Sequence, residues 1–379
     1  MAGPKKRHGF TLVELLVVIT IIGMLVSLLL PAIQSAREAG RKNTCSNNMR
    51  NCVLALSQFE NNKRGFPGYA NTVGNKTTSW VVPILPLLER NDIYQSWQNS
   101  NILQITAANS FQFVTPLAVL VCPSNPAPIS GSNPLSFVVN TGSASTANDN
   151  NPASIAYKSM TPFNGENWPE DINSGVFFDQ TKDPTLHLQI DYQLPSKKVT
   201  MDFIGTNDGT SYTLMMSENL QAFNWALDPT DATGYTQFQS DFAARQGTGM
   251  VWYITGLNNP ANGGPPTAAA GANYDPLAIG INGQAKVITT TAPSKVYPNP
   301  VVTSVGGLAY ARPSSNHPGG VNAFFCDGHG RFIAEDIGYN VYTQLMTPNQ
   351  KGVAITSLAS GSPTLAQSSW SYLLNEADY

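Results

Sequence analysis

The sequence predicts an α+β protein, with one long N-terminal helix that begins as a membrane span and a head built from short strands. Three observations predict it. The 21 residues Phe10–Leu30 are almost wholly apolar and carry one charge, Glu14. Beyond them, short apolar runs alternate with turn clusters, punctuated by Gly 31 and Pro 27 among 379 residues. Charged residues make up 12% of the chain, about half of the ~25% usual in globular proteins. That scarcity, with 42% hydrophobic residues and a net charge of −3, excludes a highly charged disordered chain and a coiled coil, and no nucleic-acid partner is expected.

The first element is a basic leader, residues 1–9, followed by the apolar span. Twenty-one residues match the roughly 20 that a spanning helix needs. Lys5, Lys6 and Arg7 place the N-terminus in the cytoplasm and the head across the cytoplasmic membrane. Arg37, Arg41 and Lys42 weaken that vote without reversing it. A cleavable secretory signal would have a shorter apolar region, of about 7–15 residues, followed by small residues. Glu14 is the residue a plain anchor does not explain, since an ionised side chain in a span costs about 2.5–3.5 kcal/mol. It needs a cation, and no Lys, Arg or His lies between Phe10 and Leu30. The cation is therefore expected from another chain or from a newly made N-terminus.

The segment KKRHGFTLVELLVVITIIG resembles the type IV prepilin and pseudopilin signature: a basic leader, Gly9, an aromatic residue, and Glu at the fifth position after the Gly. The resemblance implies cleavage between Gly9 and Phe10 by a prepilin peptidase that also N-methylates Phe10. It implies that Glu14 pairs with the amine of a neighbouring pilin-like subunit. The expected location is the cytoplasmic membrane, single-pass, with later residence in a periplasmic or surface filament.

The helix continues past the membrane. Pro31 kinks it without ending it, and Met49, Cys52, Val53, Leu56 and Phe59 form an apolar stripe at helical spacing. The stripe is expected to pack on the protein's own head, and the helix to run over 10–61, on the order of 78 Å. Gly40 is a point where it could bend on assembly.

The head occupies residues 62–379. Trp80–Trp97 reads as helical, interrupted by Pro83 and Pro86. The strands expected are Leu117–Cys122, Val176–Asp179, Val199–Phe203, Tyr212–Ser217, Met250–Ile254, Val321–Cys326 and Arg331–Ala334. Asn140–Thr161 and Gly256–Tyr274 read as surface loops. Asp327-Gly328-His329-Gly330 reads as a hairpin turn, and Asp336–Met346 as a short helix.

Over the whole chain, LLLPAIQSAREAGRKNTCSNNMRNCVLALSQFENN, GFPGY, SWVVPILPLLE, VCPSNP, NDGTSYTLMMSENLQ and NHPGGVNAFFCDGHGRFI resemble a large prepilin-like family of unassigned activity. Its mark is a C-terminal H-x9-D-G motif, met by His317, Asp327 and Gly328. The resemblance implies a pilin-like lollipop, a stalk helix packed on an antiparallel β-sheet head, and no activity. A head this large, beside the small heads of major pseudopilins, suits a tip, a minor subunit or a membrane-held binding protein.

Cys45, Cys52, Cys122 and Cys326 all fall on the expected oxidising side, where disulfides persist. Cys45 and Cys52 are about 10.5 Å apart on an intact helix, too far to bridge. Cys45–Cys122 with Cys52–Cys326, the swapped pairing, and free buried thiols stay open. His317 and Asp327 invite a catalytic reading, but no nucleophile, zinc or phosphate-loop motif accompanies them. Asp327-Gly328 and Asp208-Gly209 are more economically turn formers. Asp208, Glu218 and Asp327 are candidate calcium ligands if the fold unites them; no other metal or cofactor is expected. The function expected is a non-enzymatic pilin-like or type II secretion pseudopilin-like subunit. The alternative is a membrane-anchored extracytoplasmic binding or adhesion protein that does not polymerise.

Overall fold

The structure, a computed structural model, describes residues 12–74, 76–99, 117–125, 134–145, 172–173, 175–180, 198–220, 222, 225–226, 248–255, 313–335, 337 and 339–349. Gly9, Phe10, the loop 256–274 and most of the loop 140–161 lie outside them. Helix α1 spans Leu12–Lys63, 52 residues with Pro31 inside, about 78 Å long. It runs through Pro31 and Gly40 without interruption. It stops where Arg64 (φ 54°) and Gly65 (φ 152°) turn the chain back, and Gly65 N–H donates to the Glu60 carbonyl.

Two halves of α1 live in different surroundings. From Leu12 to Ile33 its large apolar side chains are exposed. From Cys45 onward a stripe of Cys45, Met49, Cys52, Val53, Ala55, Leu56 and Glu60 is buried, with Phe59 packed at its edge, so the expected stripe does face the head. Lys42 Nζ sits 3.1 Å from the Phe332 ring centroid, a cation–π contact that fixes the helix where the stripe begins.

The head opens with the hairpin β1 (Ala70–Val73) and β2 (Lys76–Ser79). Next come α2 (Val81–Ile84), a 3-10 turn (Leu85–Leu88) and α3 (Asn91–Asn99), which together are the interrupted helical segment expected at Trp80–Trp97. A second 3-10 turn covers Ala118–Leu120, followed by β3 (Phe137–Ser145), β4 (Asp179–Gln180), α4 (Met201–Thr206), β5 (Leu214–Glu218), β6 (Gly249–Thr255), β7 (Gly320–Phe325), β8 (Gly330–Ala334) and α5 (Tyr339–Met346). The main sheet has the order β6-β3-β5-β7-β8, and β4 joins the small hairpin beside β1. Pairing is antiparallel except β3 with β6 and β1 with β4. The sheet is therefore mixed, not purely antiparallel.

Period-two alternation gives each face its own core. Phe137, Val139 and Phe324 turn toward α1. Val138, Val321, Ala323 and Phe325 turn the other way, onto Tyr342, Leu345 and Met346 of α5. The sheet is thus sandwiched between the stalk and the last helix.

Four expected elements differ. Leu117–Cys122 is not a strand, because Asn48 Nδ2 on α1 donates to the Ala118 and Val121 carbonyls (3.1 and 3.0 Å) and holds the segment in its 3-10 turn. Val199–Phe203 gives way to α4, whose N-cap Thr200 accepts from Phe203 N–H at 3.1 Å. Of Val176–Asp179 only Asp179 lies in a strand, where it and Gln180 pair with Ala70 and Asn71 of β1. Asn140–Ser145, expected as loop, is the second half of β3 on the parallel partner β6; its NTGSAS composition lacks the apolar alternation that marks a strand. Gly142 (φ 78°) interrupts the register there, and a Cβ on Gly175 would lie 2.5 Å from its Cα, so two glycines let the backbones meet.

Candidate functional site

On α1, Glu38, Cys45 and Cys52 recur every seven residues, close to two helical turns, and so share one side. The side chains that meet this side come from three distant segments. Asn48, one turn after Cys45, anchors the 3-10 turn that presents Cys122. Glu218 ends β5, and its oxygens are aimed by Asn322 of β7, whose N–H donates to Oε2 at 2.7 Å and whose Nδ2 donates to Oε1 at 3.1 Å. His317 lies in the loop entering β7, where Ser315 Oγ accepts from its backbone N–H at 3.1 Å. Asn316 Nδ2 donates to the Ser124 carbonyl at 2.7 Å, tying that loop to the Cys122 segment.

The result is a buried cluster of Cys45, Cys122, Glu218 and His317, whose donor atoms all lie within 4.8 Å of one another. His317 Nε2 is 3.4 Å from Cys122 Sγ and 3.1 Å from Glu218 Oε1. On its far side, Nδ1 is 2.6 Å from Glu38 Oε1. Glu38 also accepts from Ser124 Oγ at 2.9 Å and pairs with Arg41 at 3.7 Å. Cys45 Sγ donates to Glu218 Oε1.

These contacts set the proton positions. Burial by itself lowers the pKa of His317, but hydrogen bonds to Cys122, Glu218 and Glu38 outweigh it and push it up to about 10. Cys122 is held down at about 6, chiefly by its hydrogen bond from Cys45 and against the effect of burial. Cys45 moves upward, through that same hydrogen bond, burial and the Glu218 charge. Burial opposes ionisation of Glu38, yet His317 and Ser124 keep it below the ordinary carboxylate range. Two cysteine sulfurs, an imidazole and a carboxylate therefore share one contact set.

The sequence-derived candidates distribute as follows. All four cysteines are free and buried, so neither disulfide pairing is formed. Cys52 Sγ donates to the Val119 carbonyl at 3.8 Å, and burial raises its pKa to about 12. Cys326 is buried against the turn that carries Asp327, and burial raises it well above its ordinary value. The calcium trio is not assembled. Glu218 belongs to the Cys–His cluster, whereas Asp327 accepts from Ser211 Oγ at 2.7 Å and from His329 N–H at 3.0 Å beyond the opposite end of β5. Asp208 lies at that same end, in the turn after α4. Gly328 has φ 89°, as the turn reading of Asp327-Gly328 requires. His317 and Asp327 therefore do not form one site. Glu14 lies in the first turn of α1 and is exposed, while the cleavage pair Gly9–Phe10 is outside the described residues. Glu38, whose carboxylate orients the His317 ring, was not among the candidates, because an acid on a polar helix face carries no local signal.

A family model described as the prokaryotic N-terminal methylation motif matches residues 4–30, directly over the leader and the exposed apolar half of α1. That half belongs to the one helix among the described residues long and apolar enough to cross a membrane, and with the motif it makes the chain a pilin-like, membrane-anchored protein. A second model, described as a protein of unknown function (DUF1559), matches residues 34–340, which takes in every residue of the cluster. Comparison with curated proteins and with solved structures gives no match. Since the second match covers most of the polypeptide and the first covers its anchor, the chain belongs to the DUF1559 family, in a form headed by a prepilin motif.

Proposed function

We propose that this protein is a structural, non-enzymatic subunit of a type IV pilus-like or type II secretion pseudopilin-like assembly, cleaved after Gly9 and N-methylated on Phe10. One observation carries the reading: a prepilin motif leads a 52-residue helix whose apolar side chains from Leu12 to Ile33 are exposed. Lipid covers such a surface while the protein is anchored, and other apolar helices can cover it in a filament. Cleavage would make an α-amino cation at Phe10, and a carboxylate at position 14 of an adjoining helix is placed to neutralise it in low dielectric. The head then offers surface for partners or cargo. Its His317 and Asp327 stand at separate places, so they do not act as one pair.

Intact-mass and peptide analysis of the protein from its native membrane tests processing. The expected chain begins at Phe10 and carries one added methyl group; a chain that keeps residues 1–9 overturns the reading. Cysteines introduced singly along Leu12–Ile33 test assembly, with a regular crosslink ladder expected that weakens in Glu14→Gln. A processed chain giving no ladder would identify a membrane-anchored binding protein instead.

A further inference from the structure

We propose that Cys45, Cys122, Glu218 and His317 bind one zinc ion, which pins the stalk helix to the head. The ligand chemistry comes first: two thiolates and an imidazole favour a borderline-soft cation, and a single carboxylate completes four ligands. With bonds of about 2.3 Å to sulfur and 2.0–2.2 Å to nitrogen and oxygen, a tetrahedron sets its donors roughly 3.3–3.8 Å apart. His317 Nε2 lies 3.4 Å from Cys122 Sγ and 3.1 Å from Glu218 Oε1, near those values. Cys45 Sγ, at 2.5 Å from Glu218 Oε1, would move outward by about 1 Å to accept the ion.

The supporting shell is in place as well. Metal-bound histidines commonly give their other ring nitrogen to a carboxylate, which fixes the tautomer. Glu38 takes that position at 2.6 Å from Nδ1, leaving Nε2 for the ion. Asn322 orients both oxygens of Glu218 through two hydrogen bonds. Two thiolates and one carboxylate leave a divalent ion one formal negative charge in excess.

Burial decides the kind of site. Cys45 is 0%, Cys122 3%, Glu218 2% and His317 2% exposed, so four protein ligands close the ion off from water and substrate, as in structural zinc centres. The ligands come from α1, the 3-10 turn segment, the end of β5 and the loop before β7. One ion would therefore crosslink four parts of the chain that are otherwise joined through packing and hydrogen bonds. This inference is independent of filament assembly.

The test uses the full-length protein in detergent, purified without chelator. Elemental analysis is expected to find about one zinc per chain, and cobalt exchanged into the site to show the strong visible bands and sulfur charge-transfer absorption of a tetrahedral thiolate complex. Cys122→Ser should lose the metal, whereas Cys52→Ser, a buried thiol outside the cluster, should keep it. Glu38→Gln should weaken zinc binding about 10–100-fold, the usual effect of removing such an orienting partner. Metal-free wild-type protein with four titratable thiols that fails to take up cobalt would overturn the proposal. So would a native Cys45–Cys122 disulfide, read from intact mass before and after reduction. If Cys122→Ser does not fold, the metal content and cobalt spectrum of the wild type decide alone.

Discussion

His317 and Asp327 stand beyond opposite ends of β7, whose six residues span roughly 17 Å at about 3.3 Å per residue, and they answer to different neighbours. His317 is held by Glu38 and Glu218. Asp327 closes the β7–β8 turn, accepting from the His329 backbone N–H, the His329 ring at 2.6 Å and Ser211 Oγ, while the His329 ring stacks on Phe325 at 4.2 Å. Burial raises the pKa of Asp327, but the His329 and Ser211 hydrogen bonds outweigh it and hold it below 3.8. A depressed folded pKa means that the ionised turn stabilises the fold above about pH 4 and that this contribution is lost as pH falls through the folded value. Asp327→Ala should therefore lower stability by ~1 kcal/mol at neutral pH. The deficit should shrink toward pH 2–3, as read from denaturant midpoints across pH. An equal deficit at every pH would show that the charge is not what the turn uses.

At the scale of elements, α1 shows how one helix serves two solvents. Leu54 and Leu56 are two residues apart, yet Leu54 is 56% exposed and Leu56 is fully buried, in the same larger core as Trp80, Val82 and Phe177. Leu56→Ala should cost about 2–5 kcal/mol through lost burial and the cavity left behind. Leu54→Ala should stay within about 0.5 kcal/mol; thermal midpoints of the two variants check the contrast. This much was legible beforehand, since length, apolar spacing and the basic leader announce the helix and its packed stripe. The apolar runs of β7 and β8 on either side of a Gly-rich turn were legible too. The second half of β3 was not, because its NTGSAS composition lacks apolar alternation and Gly142 there meets the Gly175 backbone. The cluster was legible only in pieces. Cys45, Cys122, Glu218 and His317 each drew attention separately, as disulfide partners, a calcium ligand and a motif histidine. Their spacing along the chain follows no ligand pattern, and only the docking of α1 against β5 and the flanking loops unites them.

For the whole molecule, the division of α1 also separates anchoring from folding. The first buried residue of the helix is Cys45, and the apolar residues from Leu12 to Ile33 are exposed throughout. Glu38, one and a half turns or so beyond that stretch, is tied to the head through His317 and Ser124. A chain beginning at Gln34 should therefore keep the packed stripe, both cores and the Cys–His cluster while losing the surface that needs lipid or other helices. It should be soluble without detergent and unfold within about 2 °C of the full-length protein, since surface changes away from packed groups alter stability by less than about 0.5 kcal/mol. Starting instead at Cys45 removes Glu38, Arg41 and Lys42, and with them the carboxylate on His317 and the cation over Phe332. That shorter chain should melt several degrees lower, because the buried histidine loses one of its two carboxylate partners. Scanning calorimetry of the two fragments checks both outcomes. If the chain from Gln34 aggregated or melted far below the parent, the apolar half of α1 would have to belong to the fold as well as to the membrane.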